Sequence, residues 1–137
     1  MLQRIQTLYL LVITFLGGLA CYFQIDFFLP YYEVITPNFL ISIFTIALGL
    51  IPVVAFIAIF IFKKRNLQIR LIWVAIILIA TYYLITFYIR INLQIGLKEV
   101  FSNFSVLLNF INLLLCNLAI NAIKKDENLI KAADRLR

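Results

Sequence analysis

The stretch Ile51-Pro52-Val53-Val54-Ala55-Phe56-Ile57-Ala58-Ile59-Phe60-Ile61-Phe62 carries no polar side chain until Lys63-Lys64-Arg65 closes it. A transmembrane β-strand alternates apolar and polar residues over about ten positions, whereas this run is apolar on every side. It belongs to one of four apolar stretches, Ile5–Phe23, Asn38–Phe62, Leu71–Ile89 and Phe101–Ile123, each ending in or bordered by charge. The hydrocarbon core of a bilayer, about 30 Å thick, takes roughly 20 residues of helix at 1.5 Å rise per residue. The pattern predicts an all-α fold: an integral membrane four-helix bundle over residues 1–123, followed by an amphipathic helical tail over 124–137.

Composition narrows the class further. With 65% hydrophobic residues and a mean hydropathy of +1.07, a soluble domain would have no place for its apolar surface except water or aggregates. The net charge of +6 is explained by topology rather than by nucleic acid. With both termini cytoplasmic, Arg4, Lys63, Lys64, Arg65, Arg70, Lys124, Lys125, Lys131, Arg135 and Arg137 lie inside, and only Arg90 and Lys98 lie outside. That distribution obeys the positive-inside rule, and an even number of spans returns the chain to its starting side. Lys63, Lys64, Arg65, Arg70, Lys124 and Lys125 are the expected contacts to anionic lipid.

Within the spans, Cys21 and Cys116 read as small apolar packing residues, although Gly18-Leu19-Ala20-Cys21 bears a faint likeness to a lipoprotein processing site. The loop Ile25–Pro37 is dense in Phe and Tyr. It reads as an interfacial anchor, with a partner-binding surface as the alternative. Pro52 predicts a bend near Leu48–Gly49, and Lys63–Arg70 a short basic turn that holds the second and third helices antiparallel. Trp73 at one end of the third helix, and Tyr82, Tyr83, Phe87 and Tyr88 at the other, read as interfacial aromatics.

Small and polar residues recur at steps of three and four. The first helix has Gln3, Thr7, Thr14, Gly17, Cys21 and Gln24; the second has Asn38, Ser42, Thr45, Gly49 and Pro52. The fourth has the strongest series, Ser102, Ser105, Asn109, Asn112 and Cys116, with Asn117 and Asn121 nearby. Such seams let backbones approach and hydrogen-bond across helices, at about 0.6 kcal/mol per bond in membranes. Ser105, Asn109, Asn112 and Cys116 therefore form a helix-packing seam, a seam offered to a protein partner, or the lining of a polar path.

Catalytic chemistry has little to work with. His is absent, no Asp, Glu, Lys or Arg lies in the middle third of any span, and no Gly-rich phosphate loop occurs. Asp26, Glu33 and Glu99 are scattered over outer loops without a spacing that pairs them. The expectation is a protein without enzymatic activity, metal or cofactor.

Beyond Lys124 the chain has neither Gly nor Pro, so the fourth helix is free to continue out of the membrane. Leu129, Ala133 and Leu136 share a stripe with Ile130 beside it, and Glu127 and Lys131 are a favourable i,i+4 pair. The tail either rests on lipid or docks to a protein partner.

The opening Met1-Leu2-Gln3-Arg4-Ile5-Gln6-Thr7-Leu8-Tyr9-Leu10 and the closing Ala122-Ile123-Lys124-Lys125-Asp126-Glu127, Leu129-Ile130-Lys131 and Ala133-Asp134-Arg135-Leu136-Arg137 resemble a family of small four-helix bacterial membrane proteins, domain of unknown function 4293. The resemblance spans the chain, with its distinctive residues at the two ends. It implies a multi-pass protein of the Gram-negative inner membrane and carries no mechanism. Ala132 stands where such proteins often have Ser, so no hydroxyl is available there. The function expected from the sequence is an accessory or scaffold subunit of a larger membrane assembly, with a small oligomeric transporter or channel as the alternative.

Overall fold

A computed structural model describes residues 2–28, 39–62, 64–93, 96, 98 and 103–135, with side chains described for 5–25, 46–62, 64–91, 96, 98 and 103–132. These residues form four helices and no strand: α1 (Leu2–Phe28), α2 (Phe39–Phe60), α3 (Arg65–Leu93) and α4 (Phe104–Arg135). Three carry segments long and apolar enough to cross a membrane: Ile5–Ile25, Arg65–Ile91 and Phe104–Ala132. Among the described residues, α2 adds a shorter apolar run, Ile46–Phe60.

The helices close a ring in which each packs on its two neighbours, α1 on α2 and α4, and α3 on α2 and α4. Cross-links fix their directions. Gln6 Nε2 donates to the Ala122 carbonyl at 3.3 Å, and Asn103 Nδ2 to Gln24 Oε1 at 3.3 Å, so α1 and α4 are antiparallel. On α3 and α4, Arg65 meets Asp126 while Tyr82 meets Ser105, again antiparallel. The bundle thus has a terminal end, holding the start of α1 and the tail of α4, and a loop end, holding the α1–α2 and α3–α4 connections.

Helix α3 begins earlier than the basic turn expected over Lys63–Arg70. Arg65–Arg70 is already helical, residues 61 and 62 form a turn, and Lys64 N–H donates to the Ile61 carbonyl at 3.0 Å. Asn66, Leu67, Gln68 and Ile69 include no helix breaker, and a helix satisfies their backbone groups without water. Helix α1 likewise runs through Ile25–Phe28, expected as loop; the rest of that loop, 29–37, and Asn38, the expected start of the second helix, lie outside the described residues.

Apolar side chains fill the middle of the core and polar ones lie toward both ends, Gln6, Gln68 and Asp126 at the terminal end and Gln24, Asn103, Ser105, Asn109 and Asn112 at the loop-end side. Leu10, Ile13, Ala55, Ala58, Ile72, Ala75, Cys116, Ala119 and Ile123 pack together with no space for a water molecule around Leu10, Ile13, Ala58, Ile72 and Cys116. Outside the ring the side chains are large and apolar, among them Leu8, Leu11, Phe15, Phe56, Phe60, Ile77, Leu84, Phe110 and Leu114. That inversion, with polar groups inward and hydrocarbon outward, is what a lipid surrounding demands and what water would penalise.

Candidate functional site

Three arrangements stand out from the packing: a buried polar cluster at the loop end, an ion-paired end at the terminal side, and the projecting tail of α4.

Tyr82 is the hub of the first. Its ring is buried, and its hydroxyl donates to Gln24 Oε1 at 2.9 Å and lies 3.2 Å from Ser105 Oγ, tying α3 to α1 and α4. Asn103 completes the cluster. Its Oδ1 accepts from the Ser105 backbone N–H at 2.9 Å, capping α4, while its Nδ2 donates to the same Gln24 oxygen. Beside it, Tyr83 donates its hydroxyl to the Val106 carbonyl at 2.9 Å. Buried amides and hydroxyls persist only with partners, and here one cap residue serves both its own helix and its neighbour.

From this cluster a polar column descends along α4. Ser105, Asn109, Asn112 and Cys116 are all buried, and all face the interior of the ring rather than its outside. Asn117 and Asn121 face outward, Asn117 returning its Nδ2 to the Leu113 carbonyl of its own helix. The Asn109 side chain lies beside the Tyr82 hydroxyl and interacts with it, while both buried amide atoms of Asn112 have no hydrogen-bond partner in the protein.

Opposite Gly17, the ring of Pro52 comes so close that a β-carbon there would stand 3.2 Å from Pro52 Cδ. The absent side chain on α1 is what seats the proline of α2. Farther along, Gly49 faces Cys21, whose sulfur would lie 3.9 Å from an added β-carbon. Both cysteines are free thiols, Cys116 in the core and Cys21 partly covered.

At the terminal end, Arg65 and Asp126 form an ion pair of 2.9 Å that ties the start of α3 to α4, with both side chains mostly covered. Gln68 Nε2 donates to the Ala58 carbonyl at 3.2 Å across the α2–α3 turn. Lys64 stands at an open groove of about 530 Å³ lined also by Phe60, Ile61, Phe62 and Leu67. Lys64, Arg70, Lys124 and Lys125 are exposed, Arg65 is engaged by Asp126, and Lys63 lies outside the described residues.

Past Asp126, helix α4 continues to Arg135. Glu127 accepts from Lys131 Nζ at 2.6 Å; this hydrogen bond and the lysine charge hold its carboxyl below the ordinary range. Leu129 and Ile130 are exposed, at 50% and 43%, while the side chains of Ala133 and Leu136 lie outside those described. No cluster of His, Cys, Asp and Glu able to hold a metal occurs among the described residues.

Tyr82 and Asn103 are the residues that sequence reading missed. A tyrosine near a helix end fits an interfacial belt as well as a core, so Tyr82 gave no signal of its own. The signal at Asn103 was present: an Asn just before an apolar helical run is a cap. Comparison with curated proteins and with solved structures gives no match. The family model described as a domain of unknown function, DUF4293, matches residues 2–136, nearly the whole chain, and the protein belongs to that family.

Proposed function

We propose that this chain is a four-span protein of the bacterial inner membrane, with both termini cytoplasmic, that acts without catalysis as an accessory or scaffold subunit of a larger membrane assembly. The observation that carries the reading is the length of α4. Its 32 residues make a helix of about 48 Å, against about 30 Å of hydrocarbon. The excess lies at the terminal end, where Leu129 and Ile130 are exposed on a segment flanked by Lys124, Lys125 and Lys131. An exposed apolar pair among mixed charges suits docking to a protein surface, and the neighbouring lysines suit anionic headgroups. The α2 helix supplies the fourth span: its 22 residues give about 33 Å.

Purification in mild detergent followed by mass spectrometry tests this. The expected result is a reproducible partner that is lost on deleting Lys124–Arg137, while the remaining chain stays membrane-bound and helical. A homo-oligomer with no other component, unchanged by the deletion, would contradict it and favour a small oligomeric transporter. Because the apolar core closes the interior of one bundle, its path would have to run between copies.

A further inference from the structure

Apart from Gln68 Oε1 at the terminal end and Asp126 Oδ2, which Arg65 faces, the buried polar atoms without a hydrogen bond lie toward the loop end. Gln24 Nε2 and both amide atoms of Asn109 and of Asn112 are all interior and all on the loop-end side of the apolar core. Burying amides with hydrogen bonds unmade is costly against the marginal stability of a folded chain, so Asn112, and Asn109 beyond its contact with Tyr82, call for further partners. Apart from Tyr82 of α3 beside Asn109, no side chain of a neighbouring helix hydrogen-bonds to these amides. The antiparallel register set by Gln6–Ala122 and Gln24–Asn103 brings the α1 segment containing Gly17 and Ala20 to the depth of Asn109 and Asn112. Neither residue has a polar side chain. On α2, Pro52 packs at Gly17 and has no N–H to give the Leu48 carbonyl one turn nearer the loop end, which leaves a backbone acceptor at the same depth.

We infer that Asn109, Asn112 and Gln24 line an internal hydration site, a short file of water molecules that enters at the Tyr82–Ser105 cluster and ends blind against Cys116 and the apolar core. Each water in such a file needs two to four polar partners, and these amides, the Ser105 hydroxyl and the freed carbonyl provide them. Globular proteins hold on the order of one buried water per 27 residues, about five for a chain of this length, which is enough to serve these groups. From Ser105 to Asn112 the helix rises about 10 Å, so the file reaches roughly a third of the way through the bilayer core and stops. The site takes water and similarly small neutral hydrogen-bonding molecules; it has no charged group to favour an ion.

Radiolytic hydroxyl-radical labelling of the full chain in nanodiscs reads this directly, because radicals form from the bound water itself. Corrected for intrinsic reactivity, Tyr82 is labelled although its ring is 1% exposed, whereas the equally buried Ile13 and Ile72 of the terminal half are not. In Asn109→Leu/Asn112→Leu, which keeps the branching of the side chains and removes the amides, the labelling of Tyr82 is lost. Protection of Tyr82 equal to that of Ile13 and Ile72, or labelling that survives the double substitution in a folded protein, would overturn the inference. Should the double variant fail to fold, water cross-relaxation to the side-chain amides of the wild-type protein, selectively labelled at Asn, decides. Contacts between water and the Asn109 and Asn112 amides support the file, and dry amides exclude it.

Discussion

At Gly17 a missing carbon decides how closely two helices meet. A β-carbon there would press on the Pro52 ring at 3.2 and 3.3 Å, and a ring fused to the backbone yields less than a flexible side chain. Gly17→Val therefore destabilises the bundle by about 1–3 kcal/mol, the usual cost of overpacking. Gly18→Val, one residue on with nothing within 4 Å of its added β-carbon, leaves the thermal midpoint in detergent unchanged or higher. Equal losses at the two positions would contradict the packing. Tyr82→Phe removes the hydroxyl that joins Gln24 to Ser105 and costs about 1 kcal/mol, in line with single hydrogen bonds in folded proteins and membranes. Asn103→Ala costs about as much or more, since it removes both the α4 cap and the bond to Gln24. Reversible unfolding of the three variants in mixed micelles measures each loss.

The elements respond to charge at the terminal end. Arg65 and Asp126 hold α3 to α4 where both leave the apolar core, and either one alone would be a mostly covered, uncompensated charge. A double-mutant cycle with Arg65→Met and Asp126→Leu is expected to give a coupling on the order of 1 kcal/mol, with the double variant less damaged than the sum of the singles. The tail beyond is tuned by pH. Because Lys131 holds the Glu127 carboxyl below its ordinary range, the pair's support of the last turns of α4 is complete above that ordinary range and fades as pH falls through the lowered value. Carbon-detected titration of Glu127 is expected to move up toward the ordinary range in Lys131→Met; an unchanged midpoint would contradict the pairing. These elements were unequally legible in the sequence. Unbroken apolar runs made the helices plain, and the spacing of Ser105, Asn109, Asn112 and Cys116 made their shared face plain, since periodicity is a local property. Arg65–Asp126 and Tyr82–Gln24 join residues far apart in the chain, and no local pattern marks which helix ends meet. The basic segment Lys63–Arg70 read as a turn because charge suggests water, but its residues are good helix formers and most of it is helix.

For the whole molecule, the inverted distribution of polarity makes lipid the natural surrounding, and the proposed orientation rests on the positive-inside rule. A fluorescent-protein fusion after Arg137 is expected to fluoresce, and an alkaline phosphatase fusion at Lys98 to be active; the opposite pair of results would reverse the topology. In the proposed arrangement the outward faces of α1, α2 and α3 meet acyl chains, and the end of α4 is the surface proposed to take a partner. The most direct test of that role places a photoreactive amino acid at Leu129 or Ile130 in living cells, with Leu11 and Phe15 as lipid-facing controls. The account predicts a discrete cross-link from the two tail positions to the same second protein, absent from the controls. Cross-links from the tail to lipid alone, or only to another copy of this chain, would contradict it.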